Sequence, residues 1–326
     1  PLLVVWVLLI IVMRSFVPPE VVYAGAMSAT VPLWFLAVYL TLTALAPFTF
    51  AWWRRSGPIT IVWLLAASVA VDTARFAFDV PGIGWVNFLF VWAAVHQIGY
   101  WWSSLDATSG APARTGWLTF AGSLGLLVAI TWTGLYPVAM VGVPGAGVTN
   151  MTPPTFAIAV LGTMQLGIIW GTQPAVRRFT AQARQWHAVV AVSGVIMTIY
   201  LWHLSAMSLV AAAGLFTFDG ALVRIEPCTP GWWITRPIWI AILLMATGAL
   251  VAIFARFEWR ISDAPAPEKV PTLTIGLLLT AGSAAAVATM GIATPDAIVQ
   301  WSIPAAAIAG AAMLGALPRR PGRSNR

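Results

Sequence analysis

Long apolar runs constrain this chain more than any other feature of its sequence. Ten of them approach or reach the roughly 20 apolar residues that a helix needs to cross a hydrocarbon core about 30 Å thick. Lipid offers the backbone no hydrogen-bond partner, so segments that span it must pair their own N–H and C=O groups, as helices do. The runs cover residues 2–17, 31–50, 59–78, 84–104, 116–141, 154–171, 188–212, 237–255, 273–292 and 297–317.

Composition supports the same interpretation. The 326 residues are 60% hydrophobic and only 8% charged, whereas about a quarter of the residues of a soluble domain are charged. A soluble fold of this length could not cover its surface with so few charges. We therefore predict an all-α, polytopic integral membrane bundle of about ten transmembrane helices, with residues 1–317 in the membrane domain and 318–326 as a basic cytoplasmic tail.

The distribution of basic residues predicts the orientation. If residue 1 is cytoplasmic and every run spans, thirteen of the 17 Lys and Arg residues lie inside, and Arg14, Arg75, Arg224 and Arg236 lie outside. Cytoplasmic loops of membrane proteins carry this excess of positive charge. We predict a multi-pass protein of the cell (inner or plasma) membrane with both termini cytoplasmic. Because the basic clusters alternate with apolar runs, they do not indicate nucleic-acid binding.

The sequence also predicts features outside the spans. Tryptophan pairs at Trp52-Trp53 and Trp101-Trp102 are expected at cytoplasmic ends of spans, and the pair Trp232-Trp233 at an outer end. Residues 136–154 and 214–236 are expected to form the two long outer loops. The single cysteine, Cys228, excludes a disulfide within the chain, and no residues have the spacing of a zinc site.

Ionisable residues inside spans indicate function by default because burying them in lipid is costly. Asp72, Arg75 and Asp79 are three and four residues apart, which predicts that they share one helix face. They form either a self-neutralising ion-pair ladder near the outer surface or part of a functional pocket.

Two histidines lie within predicted spans. His96, next to Gln97, is either a buried imidazole bound to a neighbouring carbonyl or a general base. Tyr200 and His203 are three residues apart, so they either line one cavity or form an aromatic packing site near the outer interface. We assign no role to His187, which begins the seventh span.

Several short motifs together resemble the integral-membrane acyltransferase 3 family in its actinobacterial form. The motifs are PLWFLAVYL (32–40), NFLFVW (87–92) followed by HQIGY (96–100), YP (136–137), VGVPG (141–145), Asn150, PPT (153–155) and YLWH (200–203). Each is weak alone, but their order and spacing resemble that family across roughly residues 30–210.

The resemblance implies an enzyme that moves an acyl group, often acetyl, from a cytoplasmic donor to a hydroxyl of a cell-envelope sugar, glycan or lipid. The resemblance implies acyl-CoA, in its acetyl form, as the donor, with membrane lipid and the envelope acceptor as partners and no bound cofactor. The pairs Arg54-Arg55 and Arg177-Arg178 are candidates for binding the donor phosphates. Candidates for the substrate pocket are Asp72, Arg75, Gln97, Asn150 and Tyr200.

The sequence departs from the family at the first helix, where members carry an Arg, an Asp and an essential His. Pro1 resembles the start of the third family helix, so we expect the main catalytic base upstream of this chain. His96 and His203 are the catalytic candidates within it. Two alternatives remain. The first is a transporter or flippase of a glycan or lipid, with a path lined by Asp72, Arg75 and these histidines. The second is a non-catalytic subunit or degenerate remnant, which would not need His96 or His203.

Overall fold

The computed structural model describes residues 1–108, 113–142, 148–217, 224–261 and 270–315. Within these ranges it contains α-helices, one short 3₁₀ helix and two isolated β-bridges, but no strand. The helices are α1 (Leu2–Met13), α2 (Pro19–Thr30), α3 (Leu33–Ser56), α4 (Ile59–Phe76), the 3₁₀ helix Ile83–Val86, α5 (Asn87–Thr108), α6 (Ala113–Trp132), α7 (Phe156–Thr180), α8 (Ala183–Ser193), α9 (Ile196–Phe216), α10 (Pro230–Ile261), α11 (Val270–Met290) and α12 (Ser302–Met313).

Seven helical stretches of the described chain are long and apolar enough to cross a membrane. They are Pro19–Ser56, which contains α2 and α3, then α4, α6, α7 and α9, and finally Pro230–Arg256 and Pro271–Met290 within α10 and α11. This confirms the prediction of a polytopic membrane helical bundle. Helices α1 and α12 are apolar but shorter, and α5 has 22 residues but lies outside the seven.

Three predicted boundaries were wrong. Helix α6 ends at Trp132, so residues 133–141 belong to the following loop rather than to a span. The run 188–212 is divided into α8 and α9 by a turn at Gly194-Val195. The predicted outer loop 214–236 is much shorter, because α9 continues to Phe216 and α10 begins at Pro230. Trp232, Trp233 and Arg236 therefore lie in α10.

Local sequence explains where the helices end. Gly57 follows α3 with φ +56° and its N–H donates to the carbonyl of Trp53, which is the left-handed glycine ending common to helices. Arg54 and Arg55 lie in the last turn of α3, and Arg177 and Arg178 in the last turn of α7. A cation is stabilised there by the partial negative charge of the free carbonyls.

The chain divides into two compact units, which we describe separately. Unit 1 comprises Pro1–Thr41 and Ala188–Arg326, and unit 2 comprises Leu42–His187. In unit 1, a core of buried apolar residues joins α1 and α2 to α9, α11 and α12. Trp6 Nε1 donates to Ser205 Oγ over 2.9 Å, and the Trp202 ring stacks on Phe254 with centroids 3.8 Å apart.

Unit 2 contains α4–α7 and most of α3. Its described residues form three smaller apolar clusters instead of one continuous core, and the largest buried side chain is Trp170, which is fully enclosed. Helices α6 and α7 approach at Gly116, Gly167 and Gly171. The backbone of the facing helix occupies the space that a side chain would need at Gly116 and Gly167, and the Trp117 ring occupies it at Gly171. Small residues at such crossings let membrane helices pack closely.

Candidate functional site

Asp72, near the C-terminal end of α4, accepts hydrogen bonds from three other segments of unit 2. Its side chain is buried, with 2% of its surface exposed. Oδ1 accepts a hydrogen bond from Asn87 Nδ2 over 2.8 Å, and Oδ2 accepts from the Tyr136 hydroxyl over 2.9 Å and from the Phe156 N–H over 2.8 Å. Phe156 begins α7, so the carboxylate also satisfies a free N–H at the positive end of that helix.

Asn150 organises the loop between α6 and α7. Its buried Nδ2 donates to the carbonyls of Pro137 and Ala139, over 2.5 and 3.2 Å, and its Oδ1 accepts from Thr155 Oγ1 over 2.7 Å. The Asn150 backbone N–H donates to the Ala139 carbonyl over 3.0 Å. Asn150 thus ties the start of the loop, 11 and 13 residues before it, to the end of the loop, five residues after it.

The prediction that Asp72, Arg75 and Asp79 share one helix face was wrong, and with it the ion-pair ladder that was one of the two alternatives. Helix α4 ends at Phe76, and Asp79 is exposed in the following loop with φ +49°. Arg75 Nη1 donates to the Pro153 carbonyl over 3.4 Å, and its guanidinium lies 4.8 Å from the centre of the Phe76 ring. Asp72 is held by neutral donors, with no salt bridge within 4 Å to Arg75, so this cluster fastens the α6–α7 loop instead of neutralising itself.

Gln97 joins three helices of unit 2. It is fully buried on α5, its Nε2 donates to the Thr49 carbonyl of α3 over 3.0 Å, and its Oε1 accepts from Thr60 Oγ1 of α4 over 3.3 Å. Both ends of the amide are therefore engaged by protein groups. Gln97 stabilises the helix junction and leaves little of its side chain for a ligand.

His96 lies beside this junction with a different environment. It is half-buried, and its ring meets the Tyr100 ring edge-on with centroids 4.8 Å apart. Its Nδ1 atom is buried and has no hydrogen-bond partner in the described part of the chain. The Tyr100 hydroxyl lies 3.4 Å from Thr49 Oγ1. Of the two alternatives for His96, a bond to a neighbouring carbonyl is therefore absent at Nδ1 among the described residues.

Tyr200 and His203 do come together in unit 1. Their rings are 5.8 Å apart between centroids, and Tyr200 also meets Phe35 edge-on at 5.0 Å. His203 Nδ1 lies 2.6 Å from the Tyr200 carbonyl oxygen. A carbonyl only accepts, so Nδ1 carries the hydrogen in this contact, and the lone pair of the neutral imidazole is on Nε2. The two residues share a face of α9, and the aromatic packing that was one of the two alternatives is present.

The four arginines predicted to bind the donor are all exposed. Each pair occupies the last turn of a long helix, α3 for Arg54 and Arg55 and α7 for Arg177 and Arg178. Both pairs belong to unit 2. In the described ranges, no three His, Cys, Asp or Glu side chains are grouped to hold a metal ion.

Comparison with known proteins shows the family. A model of the acyltransferase domain of the acyltransferase 3 family matches residues 1–257. The chain belongs to the acyltransferase 3 family. A search of curated proteins found no match, and neither did a search of solved structures.

The acyltransferase match extends beyond the 30–210 region in which the motifs were recognised, and it includes every predicted site residue. Those residues are divided between the units: His203 and Tyr200 lie in unit 1, whereas His96, Gln97, Asp72, Arg75, Asn150 and the four arginines lie in unit 2.

Sequence reasoning missed the partners of Asp72 in this acyltransferase domain. Tyr136 and Asn87 each belong to a motif that supported the family resemblance, but neither was predicted to bind Asp72. The recurrence of polar residues at the ends of apolar runs was the one available signal. It does not indicate which polar residues pair, because the partners are up to 84 positions apart.

Proposed function

We propose that this acyltransferase 3 family member is a membrane O-acyltransferase. It transfers an acyl group, most simply acetyl, from acyl-CoA at the cytoplasmic face to a hydroxyl of a cell-envelope sugar, glycan or lipid. The observation that carries the proposal is the match of the acyltransferase domain to residues 1–257. We further propose a multi-pass protein of the cell membrane with both termini cytoplasmic.

The reaction itself defines what the site must supply. The acceptor oxygen attacks the thioester carbonyl, a C–O bond forms, the C–S bond breaks, and the acceptor proton is transferred to the departing CoA thiolate. A base near neutrality accelerates removal of that proton, and fixed dipoles stabilise the oxyanion that forms on the carbonyl. Imidazole is suited to the first task because its ordinary pKa is close to neutral pH.

His203 and His96 are the proton-transfer candidates within this chain. The contact of His203 Nδ1 with the Tyr200 carbonyl supports a role for His203, since it leaves the Nε2 lone pair to accept a proton. His96 is supported by its position on α5 beside the polar junction and by an Nδ1 atom that no described group occupies.

The arginine pairs are proposed to attract the donor. Four exposed guanidinium groups at the ends of α3 and α7 create a positive field that suits the phosphates of acyl-CoA. This role is compatible with their effect on membrane orientation, which the same charges produce.

The test is acyl transfer by the full-length protein in native membranes. Membranes are incubated with acetyl-labelled acetyl-CoA, and label is followed into envelope glycans and lipids. We expect His203→Ala and His96→Ala to reduce transfer, by up to about 10²–10⁴-fold if the histidine acts as a general base. The third histidine of the chain, His187, is exposed and serves as the matched control, so His187→Ala should retain activity.

One result would reject the proposal, and another would remove the two histidines from it. Absence of label on any acceptor from the wild-type protein, together with transport of a glycan or lipid into liposomes, would identify a transporter. Full transfer by both His96→Ala and His203→Ala would leave the acyltransferase assignment intact but remove these residues from the chemistry.

A further inference from the structure

The loop between α6 and α7 is apolar on its outside. We call the described residues 133–142 and 148–155 the α6–α7 loop. No charged residue lies between Arg114 and Arg177 in the sequence, so the loop carries no charge, and the nearest charges in sequence lie at the start of α6 and in the last turn of α7. Leu135 is 65% exposed, Val138 79%, Val141 54% and Val148 50%. A loop that faced water would not normally present four large apolar side chains together without a charge.

Part of the backbone of this loop is paired, within the loop and with the end of α6. The N–H of Tyr136 donates to the Ile130 carbonyl, that of Asn150 to the Ala139 carbonyl and that of Thr155 to the Asn150 carbonyl. The Asn150 side chain takes up two further carbonyls. Irregular backbone avoids lipid unless its polar groups are satisfied by protein. Here many of those groups are satisfied while the apolar side chains remain on the outside.

The position of the loop adds a third observation. It follows α6, which ends at Trp132 with 87% of that side chain exposed, and it precedes α7. Both helices are long and apolar enough to span a membrane. The exposed apolar surface of the loop is therefore continuous along the chain with two lipid-facing spans, and an exposed tryptophan at the junction suits the interfacial layer.

Fixed anchors hold the loop at both ends. Asp72 binds Tyr136 near its start and Phe156 just after its end, and Arg75 binds the Pro153 carbonyl. The loop is thus attached to α4 on its inner side, and this fixes which side chains face outward.

We propose that the α6–α7 loop lies in the interfacial layer of the bilayer, with Leu135, Val138, Val141 and Val148 in contact with lipid. It is a membrane-contacting surface of unit 2, distinct from the acyl-transfer chemistry. Lipid is the occupant that this surface fits because it accepts apolar side chains and requires no charge complement.

The test measures the surroundings of single labels on the loop. In a Cys228→Ser background, Val138→Cys and Val148→Cys are each labelled with the environment-sensitive dye NBD and reconstituted into phosphatidylcholine–phosphatidylglycerol liposomes. The native Cys228, exposed between Glu226 and Thr229, carries the same dye as a reference, and free dye in buffer defines full access to aqueous iodide. We expect blue-shifted emission at 138 and 148, strong quenching by doxyl-labelled lipid and several-fold weaker quenching by iodide than for free dye.

The proposal is overturned if iodide quenches the loop labels as efficiently as free dye and doxyl lipid has no effect on them. Using two positions guards against local misfolding of one variant. A variant is scored only if it elutes as a single species from gel filtration in detergent. Because no acyl transfer is measured, this outcome is independent of the proposed enzymatic function.

Discussion

At the residue scale, Asp72 has contacts that reach beyond its own helix. A carboxylate offers two acceptor oxygens, and all three of its donors are neutral groups from different segments of unit 2. A side-chain amide offers one acceptor oxygen and two N–H donors. This difference makes the near-isosteric change to asparagine informative.

Asp72→Asn is expected to destabilise the protein by about 1–3 kcal/mol, since a buried donor is left unpaired in either orientation of the new amide. If the NH₂ group of the new asparagine takes the position of Oδ2, the Phe156 N–H loses its acceptor. If it replaces Oδ1, Asn87 must turn its amide and give up its bond to the Ser68 carbonyl. Thermal unfolding in detergent, followed by tryptophan fluorescence, measures the loss.

Asp79→Asn is the matched control for this prediction. Asp79 is exposed, and asparagine tolerates its positive φ as well as aspartate does. Its Tm should equal that of the wild type. Equal losses in the two variants would mean that charge, and not the bonds of Asp72, determines the effect.

Tyr136 predicts how stability depends on alkaline pH. Burial, reinforced by the neighbouring Asp72 carboxylate, raises the pKa of the Tyr136 phenol above its ordinary value of 10.0. Above about pH 10 the unfolded chain releases this proton while the folded protein keeps it, so the free energy of unfolding falls as pH rises. The stability that the raised pKa of Tyr136 contributes is fully present below about pH 10 and is lost progressively above it.

Tyr136→Phe lacks this titration, so its Tm should fall less steeply than that of the wild type between about pH 10 and 11.5. At pH 8 the variant should already be less stable, because the bond from the hydroxyl to Asp72 Oδ2 is absent. Tm measured across this range for both proteins is the check. If Tm fell equally with pH in the two proteins, the Tyr136 phenol would titrate in the folded protein as it does in the unfolded chain.

These two residues also show what the sequence can predict. The place of Asp72 in an apolar run predicted that it lies inside the membrane domain, whereas Asn150 was predicted only as a residue of the substrate pocket. The bond between Asp72 and Tyr136 was not, because it joins positions 64 apart. Spacing within one helix predicted an Asp72–Arg75–Asp79 face, but the helix ends at Phe76, and the end of a helix depends on tertiary contacts as well as on propensity.

At the element scale, periodicity and length predicted most helices but not their interruptions. Each of the ten apolar runs overlaps a helix of the structure. Helix α2 was missed because Pro19–Thr30 mixes apolar with small and polar residues and is too short to span, yet Val22, Ala26 and Ala29 are buried in unit 1. A helix that is stabilised by neighbours leaves little trace in a search for 20-residue runs.

The α6–α7 contact gives a prediction of opposite sign for two glycines on one helix. A Cβ at Gly116 would collide with the backbone N of Gly171 and approach the carbonyl carbon of Trp170 to 2.7 Å. Gly116→Ala should therefore destabilise the protein, by about 1–3 kcal/mol, because both collisions involve backbone.

Gly122, on the same helix, has nothing within 4 Å of its added Cβ. Gly122→Ala should be neutral or stabilise α6 by about 0.5–1 kcal/mol, the usual gain when alanine replaces a helical glycine. Thermal unfolding of both variants tests the pair. A loss of Tm for Gly122→Ala equal to that for Gly116→Ala would contradict the close α6–α7 approach.

At the scale of the whole molecule, the number of crossings determines which surfaces face the donor. The ten-run prediction counts α5 as a span, whereas α5 is not among the seven long apolar helices of the structure. Its 22 residues extend about 33 Å at 1.5 Å per residue, which suffices for a hydrocarbon core of about 30 Å. Its buried amide, Gln97, is satisfied by α3 and α4, so its polarity does not prevent it from crossing.

Ser56 and Gln182 test this point within unit 2. Four helices, α4 to α7, lie between them if α5 crosses, which places both residues on the same side. If α5 does not cross, three crossings separate them. Both residues are exposed and lie next to the arginine pairs, so we predict that both face the cytoplasm.

In a Cys228→Ser background, Ser56→Cys and Gln182→Cys should react with a membrane-impermeant maleimide only after the cells are permeabilised. Native Cys228, which we predict to be outside, should react in intact cells and provides the reference. Labelling of Gln182→Cys but not Ser56→Cys in intact cells would show that α5 does not span. It would also place Arg54-Arg55 and Arg177-Arg178 on opposite sides of the membrane. One acyl-CoA molecule could not then reach both pairs, and the proposed donor site would be reduced to the pair that remains inside.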